Sequence, residues 1–281
     1  MPQTINTNLN SMNAQRNLAS SQSTLAISMQ RLSSGMRVNS AKDDAAGLAI
    51  AERMQSQVRG MNVAIRNAND GISMSQTAEG AMGKVADSLQ RMRELAVQSA
   101  NATNSDSDKD SLNLEYQELG KEIQRVLGGT TFNGKAIMGA DAGAFKIQVG
   151  ANTTANDSIT VTTEDLTANA DIVAVTTGTE NSIDNTVTDM TNVINSLDTA
   201  INTINTQRAT MGAVQSRFDS VIGNLQISVE NQSSARSRIM DTDFASETAN
   251  LSRAQILQQA GNAMVAQANQ LPQQVMALLR G

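Results

Sequence analysis

The 281-residue sequence has no cysteine, no histidine and no tryptophan, and only one tyrosine, four phenylalanines and two prolines. Without cysteine there is no disulfide framework and no thiol chemistry. Without histidine the chain lacks the commonest general base and metal ligand. Because aromatic side chains are scarce, Leu, Ile, Val, Ala and Met must fill any core, which favours long helices packed side by side. Proline occurs only at positions 2 and 272, so long helices are permitted almost everywhere.

No catalytic or cofactor site is indicated. Acidic residues cluster at 43–44, 106–110 and 241–243, and helix capping explains each cluster; the second lacks the glycine and distal glutamate of a calcium loop. No phosphate-binding loop, nucleophile elbow or zinc-binding helix motif occurs. We therefore predict no catalytic residue, no metal and no cofactor, and an enzyme is the least favoured class of function.

Charge is unevenly distributed. Residues 1–42 carry +4 and residues 248–281 carry +2, both without an acid, so with a total of −6 the remainder carries −12. The positive charges are too dilute for a nucleic-acid footprint. No apolar run resembles a membrane span or the core of a secretory signal peptide. We predict no nucleic-acid partner and no membrane insertion, with the ends packed together and the acidic body facing water.

The strongest pattern runs from Met190 to Ile239. Alternate steps of four and three residues visit fifteen positions there, and eleven are apolar. This heptad spacing predicts one helix about 75 Å long that needs partner helices along its length. Similar patterns over 44–99 and 109–127 predict those partners.

Between residues 130 and 163 the apolar period changes to two, which predicts a small β-hairpin region. Residues 164–188, rich in Thr, Asn and Asp, are predicted to be an exposed loop. The predicted fold is mainly α, with long heptad-patterned helices from both termini packed as a bundle or coiled coil. Residues 43–247 form a second domain, and residues 1–42 with 248–281 form an inner domain of paired terminal helices.

The two ends carry narrow apolar stripes on polar helices. Half of residues 1–42 are Ser, Thr, Asn or Gln, so this segment buries too little apolar surface to offset its ordering entropy. We predict that both ends are disordered before assembly and become helical in an open helical homopolymer; a plain surface helix is the alternative. The stripe residues are Leu18, Leu25, Met29, Leu32 and Met36 at one end and Leu257, Met264, Leu271, Val275 and Leu278 at the other.

Long motifs at both ends resemble bacterial flagellin. The N-terminal motif is RLSSGMRVNSAKDDAAGLAI at 31–50, and the C-terminal motifs are DTDFASE at 241–247, SRAQILQQAG at 252–261 and AQANQLPQQVMALLR at 266–280. The resemblance implies a subunit that polymerises into the extracellular flagellar filament for swimming motility. It is similar to a short form of the family, because only about 25 residues occupy the place of the outer surface domains. A hook-filament junction protein is the alternative.

The same resemblance implies several partners besides further copies of the chain. These are the flagellar type III export system, through which the unfolded chain passes, an export chaperone on the C-terminal helix, and the filament cap and hook-associated proteins. The end formed by Leu278, Leu279 and Arg280 resembles the part that cytosolic inflammasome sensors detect. It also belongs to the predicted polymerisation and chaperone surface.

A further resemblance concerns host innate immune receptors. The segment from residue 90 to 98 is similar to the one that Toll-like receptor 5 recognises, and the implied recognition residues are Gln90, Arg91, Arg93, Glu94, Leu95, Gln98 and Glu115. Arg91 and Leu95 are four residues apart and share a helix face, so we expect an arginine beside an exposed apolar anchor. Contacts between copies in the filament are the alternative role of this segment.

Overall fold

The computed structural model describes residues 7–184, 187 and 189–280, with side chains as far as Gln270. The chain divides into two compact units. Unit 1 comprises Met1–Ser56 with Asn231–Gly281, and unit 2 comprises Gln57–Glu230. The predicted domain boundaries after residues 42 and 247 separate the ends that we expect to be disordered before assembly from the body that we expect to be ordered. That division stays a prediction.

Helices dominate the described residues. They are α1 (Leu9–Ser34), α2 (Ala45–Ser99), α3 (Asp106–Gly129), α4 (Ala170–Thr176), α5 (Met190–Met240) and α6 (Phe244–Arg280). The predicted mainly α fold is confirmed, and α5 covers the heptad pattern from its first to its last apolar residue. Within the described residues, no helix is both long and apolar enough to cross a membrane.

One carboxylate from each of the three acidic clusters accepts hydrogen bonds from backbone N–H groups at a helix start. Asp44 accepts a hydrogen bond from the backbone N–H of Gly47 at 2.8 Å, and Asp243 accepts one from that of Ala245 at 2.9 Å. At the start of α3, Ser105 and Asp108 form a reciprocal capping box. The hydrogen bonds from the side chain and backbone of Ser105 lower the pKa of Asp108 below its usual value. These carboxylates thus satisfy backbone groups at the helix starts.

Two antiparallel hairpins follow α3. Strands β1 (Thr131–Phe132) and β2 (Lys135–Ala136) flank the turn at 133–134, whose Asn and Gly have φ values of 49° and 79°. Positive φ at both positions is what a two-residue type I′ turn requires. Strands β3 (Ala144–Gln148) and β4 (Ser158–Thr162) form the second pair. The predicted β-hairpin region therefore contains two hairpins.

The segment at 164–188 differs from the predicted exposed loop. It contains α4, and Glu164 accepts a hydrogen bond from Gln207 of α5 at 2.5 Å. Its described apolar residues with 0–1% exposure are Leu166, Ile172, Val175 and Ile183. These apolar residues are spaced irregularly among Thr, Asn and Asp, so no single period in the sequence reveals them.

Unit 2 has a continuous apolar core drawn from α2, α3, α4, α5 and the hairpins. Phe218 of α5 is fully buried in it. Gly71 of α2 lies against this ring, and a Cβ atom at position 71 would stand 2.7 Å from Phe218 Cζ and 2.8 Å from Ile147 Cδ1. The missing side chain at position 71 therefore makes room for Phe218 and for β3.

The variant Gly71→Ala should lower the free energy of unfolding by about 1–3 kcal/mol, because the added methyl group overpacks the core. Gly80 on the same helix is the matched control, since a Cβ there meets no atom within 4 Å. Gly80→Ala should raise stability by up to about 1 kcal/mol by favouring the helix. Urea unfolding followed by circular dichroism measures both, and equal stabilities for the two variants would contradict the close approach at Gly71.

Candidate assembly and recognition surfaces

The terminal helices α1 and α6 pack against each other in unit 1. They run antiparallel, because Asn8 lies beside Ala268 and Ser28 lies beside Glu247. Between these points Gly261 of α6 faces Leu18 of α1. Described residues from both terminal segments therefore meet in one helix pair, and the inner domain of the filament stays a prediction.

This pairing buries small and polar side chains. The buried residues of α1 are Ser11 and Ser28. On the described part of α6 the buried residues are Glu247, Ala254 and Ala268. The described side chains that this interface buries fully are therefore small or polar, and the leucines of α1 at 18, 25 and 32 are covered only in part.

Large apolar side chains of the same two helices remain 43–67% exposed: Leu9, Met12, Ile27, Met29, Phe244, Ile256, Leu257 and Met264. Single exposed apolar residues are ordinary, but many on one helix pair mark a surface that another molecule covers. We call these eight residues the apolar surface of the terminal pair.

The predicted N-terminal stripe lies in two environments. Met29 is 57% exposed, whereas Leu18, Leu25 and Leu32, spaced by seven residues, are half-buried. Met36 packs against a small cluster of Val38, Ala51 and Met240 within unit 1. Part of the stripe is thus used inside the chain, and the role of these residues in polymerisation stays a prediction.

At the C-terminal end, Leu257 and Met264 are 51% and 62% exposed, and their role in polymerisation stays a prediction. The backbone of α6 continues as a helix to its last residue, Arg280. The side chains of the other predicted residues at this end lie outside the described part of the chain: Leu271, Val275, Leu278, Leu279 and Arg280.

Several exposed apolar residues fall outside the predicted stripes. Ile27 and Ile256 stand one or two positions away from stripe residues, and Leu9 and Met12 precede the first of them. A search for one heptad seam on each helix misses such residues. In the sequence, apolar residues occupy more heptad positions on each helix than contact with one partner helix needs. This excess indicates a second contact surface.

Two connecting segments of unit 1, residues 35–37 after α1 and residues 240–242 at the end of α5, are joined by backbone hydrogen bonds. The N–H of Arg37 donates to the carbonyl oxygen of Met240 at 2.6 Å, and the N–H of Thr242 donates to that of Gly35 at 2.9 Å. The guanidinium of Arg37 also donates to the carbonyl oxygen of Ile239 at 2.7 Å. Because the last carbonyls of a helix have no partner within it, Arg37 helps to cap α5.

In unit 2, the residues implied in receptor recognition form ion pairs between helices. Arg91 Nε lies 2.8 Å from Glu115 Oε1 of α3, and Arg91 Nη1 lies 3.0 Å from Glu94 Oε2. These hydrogen bonds, first that to Glu115, raise the pKa of Arg91. Arg93 contacts both carboxylate oxygens of Asp198 on α5, at 2.6 and 3.4 Å. Two further residues of this set, Gln90 and Gln98, are exposed.

Leu95 is not the exposed anchor that its spacing from Arg91 suggested. It is fully buried in the core of unit 2. Exposed apolar side chains occur at Val97, two residues further on α2, and at Leu114, which precedes Glu115 on α3. Helical spacing places Arg91 and Leu95 on adjacent turns of one face, but this face borders α3, so only the long arginine reaches the surface.

Comparisons with known proteins match nearly the whole chain. The family model of the bacterial flagellin N-terminal helical region matches residues 5–142, and that of the bacterial flagellin C-terminal helical region matches residues 194–279. The flagellin of Halalkalibacterium halodurans is 44% identical over 276 residues, which cover 98% of this chain and 99% of that protein. The flagellin of Bacillus subtilis (strain 168) is 40% identical over 307 aligned residues, with the same two coverages.

A solved structure is also similar. The crystal structure of Bacillus cereus flagellin has 35% sequence identity and a TM-score of 0.49, and the match covers 57% of this chain and 88% of that one.

The burial of Leu95 has a measurable consequence. Leu95→Ala should lower the free energy of unfolding by about 2–5 kcal/mol, because it leaves a cavity in the core of unit 2. Val97→Ala, on the exposed side of the same helix, is the control and should change it by no more than about 0.5 kcal/mol. Urea unfolding of the full chain separates the two, and a Leu95 variant as stable as the control would return Leu95 to the surface.

Proposed function

The chain belongs to the bacterial flagellin family, and from this premise we propose that it assembles by folding its two ends onto neighbouring copies. It is a structural subunit of the flagellar filament and is extracellular there. In this proposal residues 1–42 and 248–281 are disordered in the free chain and helical in the filament. The observation that carries it is the apolar surface of the terminal pair.

Unit 2 and the terminal pair differ in the size of the side chains that they bury, and this difference has an energetic consequence. In unit 2 the helices bury large side chains such as Tyr116 and Phe218, so this unit is stable alone. In the terminal pair eight large side chains stay 43–67% exposed, and covering the exposed part of each contributes about 1 kcal/mol. Neighbouring copies supply that cover, so the ordering of the ends is linked to assembly.

Export and motility complete the proposal. The chain passes unfolded through the flagellar type III system, with a chaperone on its C-terminal helix, and the resulting filament serves swimming. The exposed Ile256, Leu257 and Met264 give the chaperone an apolar face to bind. A chain without cysteine has no disulfide that would resist unfolding before export. The filament cap and the hook-associated proteins are the partners at its ends, and the chain has no catalytic activity.

The exposed charges of unit 2 have a second proposed role. Toll-like receptor 5 binds the free subunit through Arg91, Glu115 and their neighbours, a surface that other copies cover in the filament. Arg91 is about half exposed although it is ion-paired, so a receptor carboxylate can reach it. In the same proposal, cytosolic inflammasome sensors detect the last residues of α6.

Removing either residues 1–42 or residues 248–281 should abolish elongation of filament seeds, since each deletion removes half of the terminal pair. Electron microscopy of purified chain mixed with filament fragments measures elongation. Far-ultraviolet circular dichroism should show that both truncated chains remain helical through α2, α3 and α5. Loss of that helical signal would contradict the independent folding of residues 43–247.

A point variant sharpens this prediction. Ile256→Asp places a charge on the apolar surface of the terminal pair and should stop elongation, because a buried unpaired carboxylate is strongly unfavourable. Asn101→Asp introduces the same charge in the exposed turn after α2, outside the terminal pair, and serves as the control. Elongation by the Ile256 variant at the rate of the control would remove the apolar surface from the assembly contacts.

Arg91→Ala should reduce the potency of the free subunit in a Toll-like receptor 5 reporter assay by about tenfold or more, because a central arginine is a usual contact of high energy. Arg125→Ala is the matched control, since Arg125 is likewise exposed and pairs with Glu122 of its own helix at 2.6 Å. Equal potency of both variants and of the unchanged chain would reject the proposed receptor surface.

A further inference from the structure

We propose that two polar clusters fix the register in which α1 pairs with α6. The Glu247 cluster consists of Ser28, Arg31 and Glu247, and the Asn269 cluster consists of Asn8, Ser11, Ala268 and Asn269. They lie towards opposite ends of the helix pair and join the same two helices. The inference rests on the proposed function, because a chain whose ends fold during assembly must select this register at that moment.

The Glu247 cluster surrounds a buried carboxylate. Glu247 is 7% exposed, and its Oε1 atom accepts a hydrogen bond from Ser28 Oγ at 2.5 Å. Arg31, one helical turn after Ser28, places Nη1 3.7 Å from Glu247 Oε2. A buried carboxylate without these partners is strongly unfavourable. Any shift of α1 along α6 separates the Glu247 carboxylate from Ser28 and Arg31, and this separation raises the free energy of the shifted pairing.

The Asn269 cluster acts at the other end through neutral groups. Ser11, 5% exposed, donates its hydroxyl hydrogen to Asn269 Oδ1 at 2.7 Å. The side-chain amide of Asn8 donates to the carbonyl oxygen of Ala268 at 2.6 Å. The hydroxyl group of the buried Ser11 needs such a partner, whereas Asn8 is half-buried and Asn269 is exposed, and a slip of the helices separates Ser11 from Asn269.

Apolar packing alone does not select the register. The half-buried Leu18, Leu25 and Leu32 repeat every seven residues, so a slip of seven residues replaces one leucine by the next. The buried residues of α1 are the serines of the two clusters. A slip that preserves the leucine row therefore breaks both clusters, in the way that one buried polar residue sets the register of a coiled coil.

The chain offers a direct reporter of register, because it contains no cysteine of its own. A Cβ at Gly261 would lie 3.6 Å from Leu18 Cβ, which suits a disulfide. The pair Leu18→Cys with Gly261→Cys reports the native register. Leu18→Cys with Ala254→Cys or with Ala268→Cys reports slips of seven residues, about 10 Å along the helix and beyond disulfide reach in the native register.

The experiment places each reporter pair in the full chain, elongates wild-type seeds and oxidises the filaments. Cross-links within one chain are then quantified by gel mobility after dissociation. Ser28→Ala and Glu247→Leu are the test variants, and Ser23→Ala, the same substitution on the exposed side of α1, is the matched control. In the test variants the ratio of slipped to native cross-link should rise about tenfold, as expected for one lost charge-assisted hydrogen bond.

The outcomes separate cleanly. Wild-type cross-link ratios in both test variants would overturn the inference. If Glu247→Leu does not elongate, Glu247→Gln decides: its amide oxygen still accepts from Ser28, so restored elongation in the native register supports the inference, and no restoration overturns it. Failure of the unsubstituted chain to elongate seeds would instead reject the proposed function.

Discussion

The helices of unit 2 bury different kinds of side chain from the terminal helices of unit 1. The rest of the structure depends on that difference. Unit 2 covers large side chains such as Leu95, Tyr116 and Phe218 with its own helices and hairpins. Among its described side chains, the terminal pair fully buries serines, alanines and one glutamate, covers the leucine row of α1 in part, and leaves eight large apolar side chains 43–67% exposed. In our proposal, a single sequence thus combines a unit whose free energy of folding is internal with helices whose free energy of folding is gained at contacts between copies.

Polar residues at the helix contacts favour one packing arrangement over others, whereas apolar residues supply the free energy of packing. Gln215, a polar position in the heptad pattern of α5, donates to Glu79 of α2 at 2.8 Å. Between α1 and α6, Ser28 donates to Glu247 in a similar way, at 2.5 Å. Regular helices with few aromatic side chains have many nearly equivalent ways to pack, and such contacts reduce that number.

Much of the architecture could be predicted from periodicity, because a heptad pattern as long as that of α5 has one simple structural meaning. The same rules failed at two kinds of residue. Leu95 shares a helix face with Arg91, and its burial is decided by α3, which local spacing does not reveal. The apolar residues after Glu164 follow no period, so their place in the core depends on tertiary contacts. The exposed Ile27 and Ile256 were missed because one seam on each helix was sought.

The backbone contact between residues 35–37 and residues 240–242 closes the part of the chain between them, about two hundred residues, into a ring without a covalent bond. Its hydrogen bonds use main-chain atoms and one guanidinium, so the closure is largely independent of what the ring contains. Evolution can therefore lengthen, shorten or exchange the interior of the ring while both ends continue to leave it side by side. Modularity of this kind allows the residues inside the ring to change while the terminal helices keep their pairing.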